Sequence, residues 1–341
     1  MSSSLNAIFA RYVPAIEAEL RDVLTSAGPP YIEYYGMLGY HMGWLDAELR
    51  PTKAHTGKRV RPVLCLLACE AAGGTWEQAL PAAAGIETLH NFSLLHDDIE
   101  DNSDARRGRP TVWKLWGEPQ AINSGDGMFA LAHLAFARLP TRGVPIERAF
   151  NALRVFDETC LKLTHGQYLD MRFEDRLDVT VEDYMTMISG KTATLIAAST
   201  YLGALLAGAD ATTAGHYRDF GHHLGLAFQV QDDILGIWGD ASVTGKSTSS
   251  DIETRKKTLP VVYGLAKSPA LRQLYAVKDI SGDQVAWVIQ TLDELGTRQV
   301  VEAMMLEQHQ KAMTALDRSG AAGEAGQALK DLATGLLNRV S

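Results

Sequence analysis

Apolar residues recur at spacings of three and four along almost the whole chain, the repeat that lines one face of an α-helix. Series of alternating β-branched runs joined by Asn-Gly or Asp-Gly turns are missing, so strands have little support. The pattern predicts an all-α fold. Gly, Pro, Ser and Thr interrupt it at 27–30, 51–57, 73–75, 140–145, 175–180 and 239–250, which divides the chain into about a dozen helices. None of these breaks has the length or low complexity of an interdomain linker, and no fixed-period repeat occurs. The expectation is one helical domain over residues 1–341.

Two segments bear on location. Residues 192–209 carry no charge, but they are rich in Ala, Gly, Ser and Thr and are followed by Asp210 with no basic flank. They read as a buried helix rather than a membrane span. Residues 1–24 mix Arg11, Glu17, Glu19, Arg21 and Asp22 into an amphipathic pattern without the continuous apolar core of a secretory signal, so a cytoplasmic protein is expected. The 341 residues are 46% hydrophobic, enough for a sizeable core, and a net charge of −9 makes nucleic acid an unsuitable partner. An acidic chain that handles phosphorylated substrates must therefore gather its Lys and Arg locally. Cys65, Cys69 and Cys160 fit neither a zinc spacing nor a disulfide framework and read as core filler.

The densest acidic stretch, Leu95-His96-Asp97-Asp98-Ile99-Glu100-Asp101-Asn102, follows the apolar run 86–94 without a breaker. Asp97 and Asp101 then share a helix face, and no Lys or Arg between Asp97 and Asp104 offsets their repulsion. A second pair, Asp232 and Asp233, lies inside another apolar helix expected to begin near Leu224. Buried Asp pairs without local partners are costly unless a cation is supplied, and carboxylate oxygens suit hard divalent ions. The spacing and central Gly of an EF-hand are absent. Basic groups stand at Lys58, Arg59 and Arg61, at Arg106, Arg107 and Arg109, at Lys191, at Lys246 and at Arg255, Lys256 and Lys257. Arg offers bidentate recognition of phosphate and Lys a mobile point charge, so this set describes sites for more than one diphosphate.

Taken together, these residues resemble the trans-isoprenyl diphosphate synthases, or polyprenyl synthetases, over residues 57–260. Asp-Asp-x-x-Asp is Asp97, Asp98 and Asp101, followed by Arg-Arg-Gly at Arg106, Arg107 and Gly108. Gly-Lys-Arg-x-Arg-Pro begins at Gly57, Gly-Lys-Thr is Gly190, Lys191 and Thr192, and Phe-Gln-x-x-Asp-Asp is Phe228, Gln229, Asp232 and Asp233. The resemblance implies a helical bundle of the isoprenoid synthase type with a central active-site cavity. It implies that Asp97, Asp101 and Asp232 ligate magnesium, three ions per site, on an allylic diphosphate, with Asp98 and Asp233 beside them among the catalytic carboxylates. Arg106, Lys191, Thr192, Gln229, Lys246 and Lys256 would bind that substrate, and Lys58, Arg61, His90 and Arg107 isopentenyl diphosphate. The second motif departs from the family at its third position, where Gly236 replaces Asp, and whether Asp240 compensates is left open.

In the resembled family an aromatic five residues before the first Asp limits elongation. Here that residue is Phe92, beside the small Ser93, a pattern similar to geranylgeranyl diphosphate synthases and implying a twenty-carbon product, with fifteen as the alternative. A class I terpene cyclase shares the first Asp motif but has no need of Lys58, Arg61 and Arg107. A non-catalytic partner subunit would show degenerate motifs, and only Gly236 points that way. The resemblance also implies a homodimer.

Overall fold

The computed structural model describes residues 3–25, 27–54, 57–239, 250–277, 280 and 282–337. Among them are sixteen α-helices: α1 Ser3–Val23, α2 Ile32–His41, α3 Val60–Ala71, α4 Leu80–Glu100, α5 Val112–Trp116, α6 Glu118–Ala137, α7 Ile146–Phe173, α8 Val181–Ile188, α9 Thr194–Ala207, α10 Ala211–Trp238, α11 Ser250–Glu253, α12 Leu259–Lys267, α13 Pro269–Tyr275, α14 Gly282–Glu294, α15 Thr297–Arg318 and α16 Gly323–Leu337. A π-helical turn, Ser189–Ala193, separates α8 from α9. The all-α expectation holds, with more helices than the breaks suggested, because short pieces such as α5, α11 and α13 are too brief to show a periodicity. One departure is a two-residue antiparallel ribbon, β1 Ala105–Arg106 with β2 Arg109–Pro110. Its turn, Arg107 and Gly108, has positive φ at both central residues, +54° and +75°, as a type I′ hairpin requires.

The second Asp pair sits in a longer helix than expected: α10 begins at Ala211, not near Leu224. The Asp210 carboxylate starts it by accepting the backbone N–H groups of Thr212 and Thr213 at 2.9 and 3.0 Å, satisfying first-turn donors. His216, Arg218, Asp219 and His222 in its first half hide the apolar stripe from a reading by periodicity.

The chain divides into two compact units, Met1–Asp157 with Ser199–Ala214 and Ala322–Ala328, and Glu158–Ala198 with Gly215–Ala321 and Leu329–Ser341. In the first, α4 lies along α6. A Cβ at Gly85 would stand 2.6 Å from the Phe136 ring, so glycine lets these helices approach. Phe136 stacks on Phe156 at 4.5 Å, and each fully buried ring contributes about 1.5–3 kcal/mol. Arg59, 3% exposed, bridges Glu17 and Glu87 at 2.7 Å each and ties α1 to α4. Losing one partner of such a buried pair costs about 3–5 kcal/mol. In the second unit Tyr184, Ile188, Ala193, Val230, Leu259, Val262 and Val301 form a core joining α8, the π turn, α10, α12 and α15. No described helix is long and apolar enough to cross a membrane.

Candidate active site

In the first unit the end of α4 sorts its carboxylates by the 100° helical step. Asp97 is half-buried and Asp101, one turn on at the C-cap, is exposed, whereas Asp98 turns inward and is 2% exposed. Arg106 Nε donates to Asp98 Oδ1 at 2.7 Å, and Asp98 Oδ2 is buried without a hydrogen-bond partner among the described residues. Burial raises the Asp98 carboxyl above the usual carboxylate range, against the pull of the Arg106 guanidinium. The ribbon carrying Arg106 is anchored on both sides. Arg109 donates to the Leu45 carbonyl at 2.7 Å and lies 3.9 Å over the Tyr40 ring, while Tyr40 donates to the Pro110 carbonyl at 2.7 Å.

Beside the ribbon stands a cluster of cations. Arg61 Nη1 lies 3.2 Å from His90 Nε2. Burial first, and then the neighbouring Arg61, Arg107, Arg106 and Arg59, push the His90 imidazolium well below its ordinary range, so His90 is neutral and accepts from Arg61. Burial also lowers Arg107, which packs against Gly57 closely enough that a Cβ there would stand 3.2 Å from Nη2. His41 is held down to about 3 by burial and by Arg107, Arg106 and Arg59, and its Nε2 is buried without a hydrogen-bond partner among the described residues. Glu87 is already engaged by Arg59. Lys58 is exposed at the edge of this group. Guanidinium groups gathered in this way fit a diphosphate.

One turn before Asp97, the Phe92 ring stacks on His96 at 4.8 Å and on Phe129 of α6 at 5.2 Å. Gly125 makes the room, since a Cβ there would collide with the His96 ring. Ser93 donates to the His90 carbonyl at 2.9 Å and leaves Phe92 as the bulky group of the pair.

In the second unit, Lys191 and Thr192 sit in the π turn. A Cβ on Gly166 of α7 would collide with the Lys191 backbone nitrogen, so two glycines, Gly166 and Gly190, let the turn lie against α7. There Lys191 Nζ meets Asp170 Oδ2 at 2.5 Å. Thr192 Oγ1 donates to Gln229 Oε1 at 2.8 Å, and Gln229 Nε2 donates to Asp233 Oδ1 at 3.1 Å. The other oxygen of Asp233 accepts from the Tyr184 hydroxyl and from the Leu259 backbone N–H, the latter at 2.8 Å. Burial pushes the Asp233 carboxyl up to about 7 in spite of the Leu259, Tyr184 and Gln229 donors, and Asp251 adds to the rise. Asp232, one residue earlier, is half-buried. Lys256 is exposed, and its neighbour Lys257 is buried, donating to the Glu174 carbonyl at 2.8 Å and lowered by burial to about 8.

The family model described as Polyprenyl synthetase matches residues 43–292. The chain belongs to the polyprenyl synthetase family. It is 38% identical over 311 residues to a (2E,6E)-farnesyl diphosphate synthase of Mycobacterium tuberculosis, covering 89% of this chain and 85% of that protein. It is 45% identical over 242 residues to a geranylgeranyl diphosphate synthase of the same organism, covering 71% and 68%. The solved polyprenyl synthetase of Streptomyces coelicolor A3(2) superposes with a TM-score of 0.90 at 36% identity, covering 98% of this chain and 99% of that one. This polyprenyl synthetase is thus a prenyltransferase with the all-α isoprenoid synthase fold.

Neither Asp98 nor Asp233 has a Lys or Arg within four residues, as the sequence reading expected, and they are held by Arg106 and by Tyr184, Gln229 and Leu259. These partners lie mostly outside the four-residue window of a helix face and are brought in by the ribbon, α8 and α12. In addition, no group of three or more His, Cys, Asp or Glu side chains stands at metal-holding distance among the described residues. Asp97 and Asp232 are half-buried and Asp101 is exposed, and carboxylate oxygens are the donors that magnesium takes, one or two at a time, beside waters and substrate phosphates.

Lys246 and Asp240 lie outside the described residues. At Gly236, however, a Cβ would stand 2.6 Å from Asp251 Oδ2, so the Asp251 carboxylate occupies the room left beside the motif's missing third Asp. Asp251, Asp170, Tyr184 and His41 were not singled out from the sequence. Asp170 and Tyr184 meet partners far along the chain, Lys191 and Asp233, and no spacing rule flags any of the four.

Proposed function

We propose that this chain condenses isopentenyl diphosphate with an allylic diphosphate, head to tail, to an all-trans prenyl diphosphate of twenty carbons. The observation that carries the reading is the split at the end of α4. Asp97 is half-buried and Asp101 exposed, while Asp98 turns inward and meets Arg106 of the ribbon that bears the arginines. In the resembled family Asp97, Asp101 and Asp232 hold magnesium, and the carboxylate chemistry here fits that ion, three per site. When bound, magnesium supplies the positive charge that steadies the departing diphosphate.

The chain's own groups do the remaining work. Arg106, Lys191, Thr192 and Gln229 would bind and orient the allylic diphosphate, joined by Lys246 and Lys256. Lys58, Arg61, His90 and Arg107 would hold isopentenyl diphosphate, with His90 neutral and fixed by Arg61. Cleavage of the allylic carbon–oxygen bond gives an allylic cation and diphosphate. The double bond of isopentenyl diphosphate attacks the cation, and the proton lost from the adduct goes to the released diphosphate. Arginine side chains placed where negative charge develops stabilise the transition state; a single oxyanion donor in an acyl-transfer enzyme is worth about 2.7–4 kcal/mol.

Phe92, braced by Phe129 and His96, supports a floor beneath the growing chain. Fifteen carbons is the second reading, since the farnesyl diphosphate synthase relative matches 89% of this chain. A single catalytic domain, a cytoplasmic location and a homodimer complete the proposal. The test is to incubate the protein with magnesium, labelled isopentenyl diphosphate and dimethylallyl, geranyl or farnesyl diphosphate in turn, and to size the dephosphorylated products. A C20 alcohol is expected, and Phe92→Ala is expected to move products to C25 and beyond. A C15 product from the unaltered protein overturns the chain length, and diphosphate release without isopentenyl incorporation overturns the synthase assignment.

A further inference from the structure

The segment that carries Lys58 and Arg61 holds a third cation of a different kind. Arg59 lies between them, yet its side chain is 1% exposed, and a diphosphate arriving from solvent does not meet it. Nε donates to Glu17 Oε1 of α1 at 2.7 Å and Nη1 donates to Glu87 Oε1 of α4 at 2.7 Å, while Nη2 is buried without a hydrogen-bond partner among the described residues. The Arg59 backbone is left-handed, at φ +49° and ψ +35°, a conformation that a residue with a Cβ adopts only at a cost. From these observations we infer that Arg59 is a positioning residue for isopentenyl diphosphate: with Glu17 and Glu87 it holds the 57–61 segment in the shape that presents Lys58 and Arg61 to the substrate, and it is not itself a ligand.

Two left-handed residues shape the segment, Gly57 at φ +83° and Arg59 at φ +49°, with the exposed Lys58 between them. Glycine takes that region freely and arginine does not, so something beyond the backbone must hold Arg59 there. The two carboxylates supply it. Glu17 and Glu87 stand on different helices, and a guanidinium is a rigid fork, so bridging them fixes the side chain in both place and direction. Each carboxylate is itself anchored: Glu17 Oε2 accepts from the Trp44 indole at 2.8 Å, and Glu87 Oε1 also accepts from Asn91 Nδ2 at 3.3 Å. The effect reaches both neighbours. Glu87 and His90 are three residues apart and share a face of α4, so Arg59 meets Glu87 while Arg61 meets His90 at 3.2 Å, and α4 grips the segment at two points. At the other end a Cβ on Gly57 would stand 3.2 Å from Arg107 Nη2, which sets the segment against the ribbon. Arg59 also begins α3, where its carbonyl accepts the Val63 N–H at 3.2 Å, so the same residue fixes where Arg61 falls on the first turn. A buried ion pair adds little stability over an apolar contact of equal size, and the use for one here is geometric.

This inference rests on the prenyltransferase reading for the identity of the ligand. Simple electrostatics and positioning predict opposite signs. If Glu17 and Glu87 were only acidic groups near an anion site, neutralising either would strengthen diphosphate binding. If they act through Arg59, neutralising either weakens it. Binding of isopentenyl diphosphate to the full chain is measured by calorimetry for the unaltered protein and for Arg59→Gln, Glu17→Gln and Glu87→Gln, with Arg142→Gln as the control. Arg142 pairs with the buried Glu19 of α1 at 2.6 Å, so its loss removes an ion pair to the same helix without altering Arg59 or its partners. Thermal melting identifies any variant that fails to fold, and Glu17, with 22% of its side chain exposed, keeps the test open if Arg59→Gln is one of them.

Arg59→Gln, Glu17→Gln and Glu87→Gln are each expected to weaken isopentenyl diphosphate binding about tenfold, a loss of about 1.4 kcal/mol. The KM for geranyl diphosphate should stay unmoved, which a general loss of folding would not allow. Amide hydrogen exchange over residues 58–63 in the absence of ligand should quicken in the same three variants and not in Arg142→Gln. The double variant Arg59→Gln with Glu87→Gln should bind no more weakly than Arg59→Gln alone, since both act through one contact. The inference is overturned if Glu17→Gln and Glu87→Gln leave binding unchanged or tighten it, if exchange over the segment does not change, or if Arg142→Gln weakens binding as much. Unaltered protein that binds isopentenyl diphosphate without incorporating it overturns the prenyltransferase reading and leaves this test intact, whereas no binding at all overturns both.

Discussion

His41 stands among Arg59, Arg106 and Arg107 with a buried, unpartnered Nε2, and its imidazole is held down to about 3. In the unfolded chain it titrates near 6.5. Between those values the unfolded state binds the extra proton, so this group's contribution to stability is complete above about 6.5 and is lost as pH falls toward 3. Urea unfolding followed from pH 7 to pH 5 should show stability falling with acid, and His41→Gln should remove a proton uptake on the order of one from that dependence. An unchanged slope in His41→Gln would mean that His41 titrates alike in both states. His41 was not legible in the sequence, because a lone histidine at the end of α2 carries no spacing signal and its three cationic neighbours arrive from 18 or more residues away. Asp97, Asp101 and Asp232 stood out in the sequence for the opposite reason: carboxylates with no Lys or Arg at helical spacing beside apolar runs are a locally visible pattern.

At the scale of elements, the π turn between α8 and α9 sets where Lys191 and Thr192 stand. π turns are rare and gather at functional sites because they add a residue to a helix and turn its neighbours out of register. This one is permitted by Gly166 and Gly190, whose missing Cβ atoms let α7 and the turn pass in backbone contact. Gly166→Ala should therefore cost about 1–3 kcal/mol of stability by overpacking and should weaken Lys191-dependent substrate binding, read as a rise in KM for the allylic diphosphate. Gly215→Ala is the control. It lies in α10 with open space around it, and the exchange should raise stability by up to about 1 kcal/mol with KM unmoved. An equal gain in both variants would show that helix propensity, not the close approach, is being measured. Periodicity located α4 and the charge-free segment of α9 well. It missed the ribbon at Arg106 and the start of α10, since two-residue pairing and a cap by Asp210 depend on turn chemistry rather than on an apolar stripe.

At the scale of the whole molecule, exposed apolar side chains are the clearest unfinished feature. On α6, Ile122, Phe129 and Leu134 are 41%, 36% and 61% exposed, and on the first turns of α7, Ile146 and Phe150 are 77% and 70% exposed. Single exposed apolar residues are ordinary, but several large ones on consecutive helices of one unit are what a surface covered in the proposed homodimer would present. A second copy of the chain is the occupant the family resemblance implies. Such a surface was invisible in the sequence, where apolar positions that face the core and those that face a partner read alike. Phe129 ties it to the site, because its ring also stacks on Phe92, so covering α6 would stiffen the floor under the growing chain. Sedimentation velocity at micromolar concentration should give the unaltered protein twice the 37.1 kDa chain mass. The double variant Ile146→Asp with Phe150→Asp, which places charges on this surface without touching Phe92 or Phe129, should sediment as the single chain. If the floor depends on the partner's cover, that variant should also release a larger share of products longer than C20. A monomeric unaltered protein would refute the dimer, and a charged variant that stays dimeric would move the interface off α6 and α7.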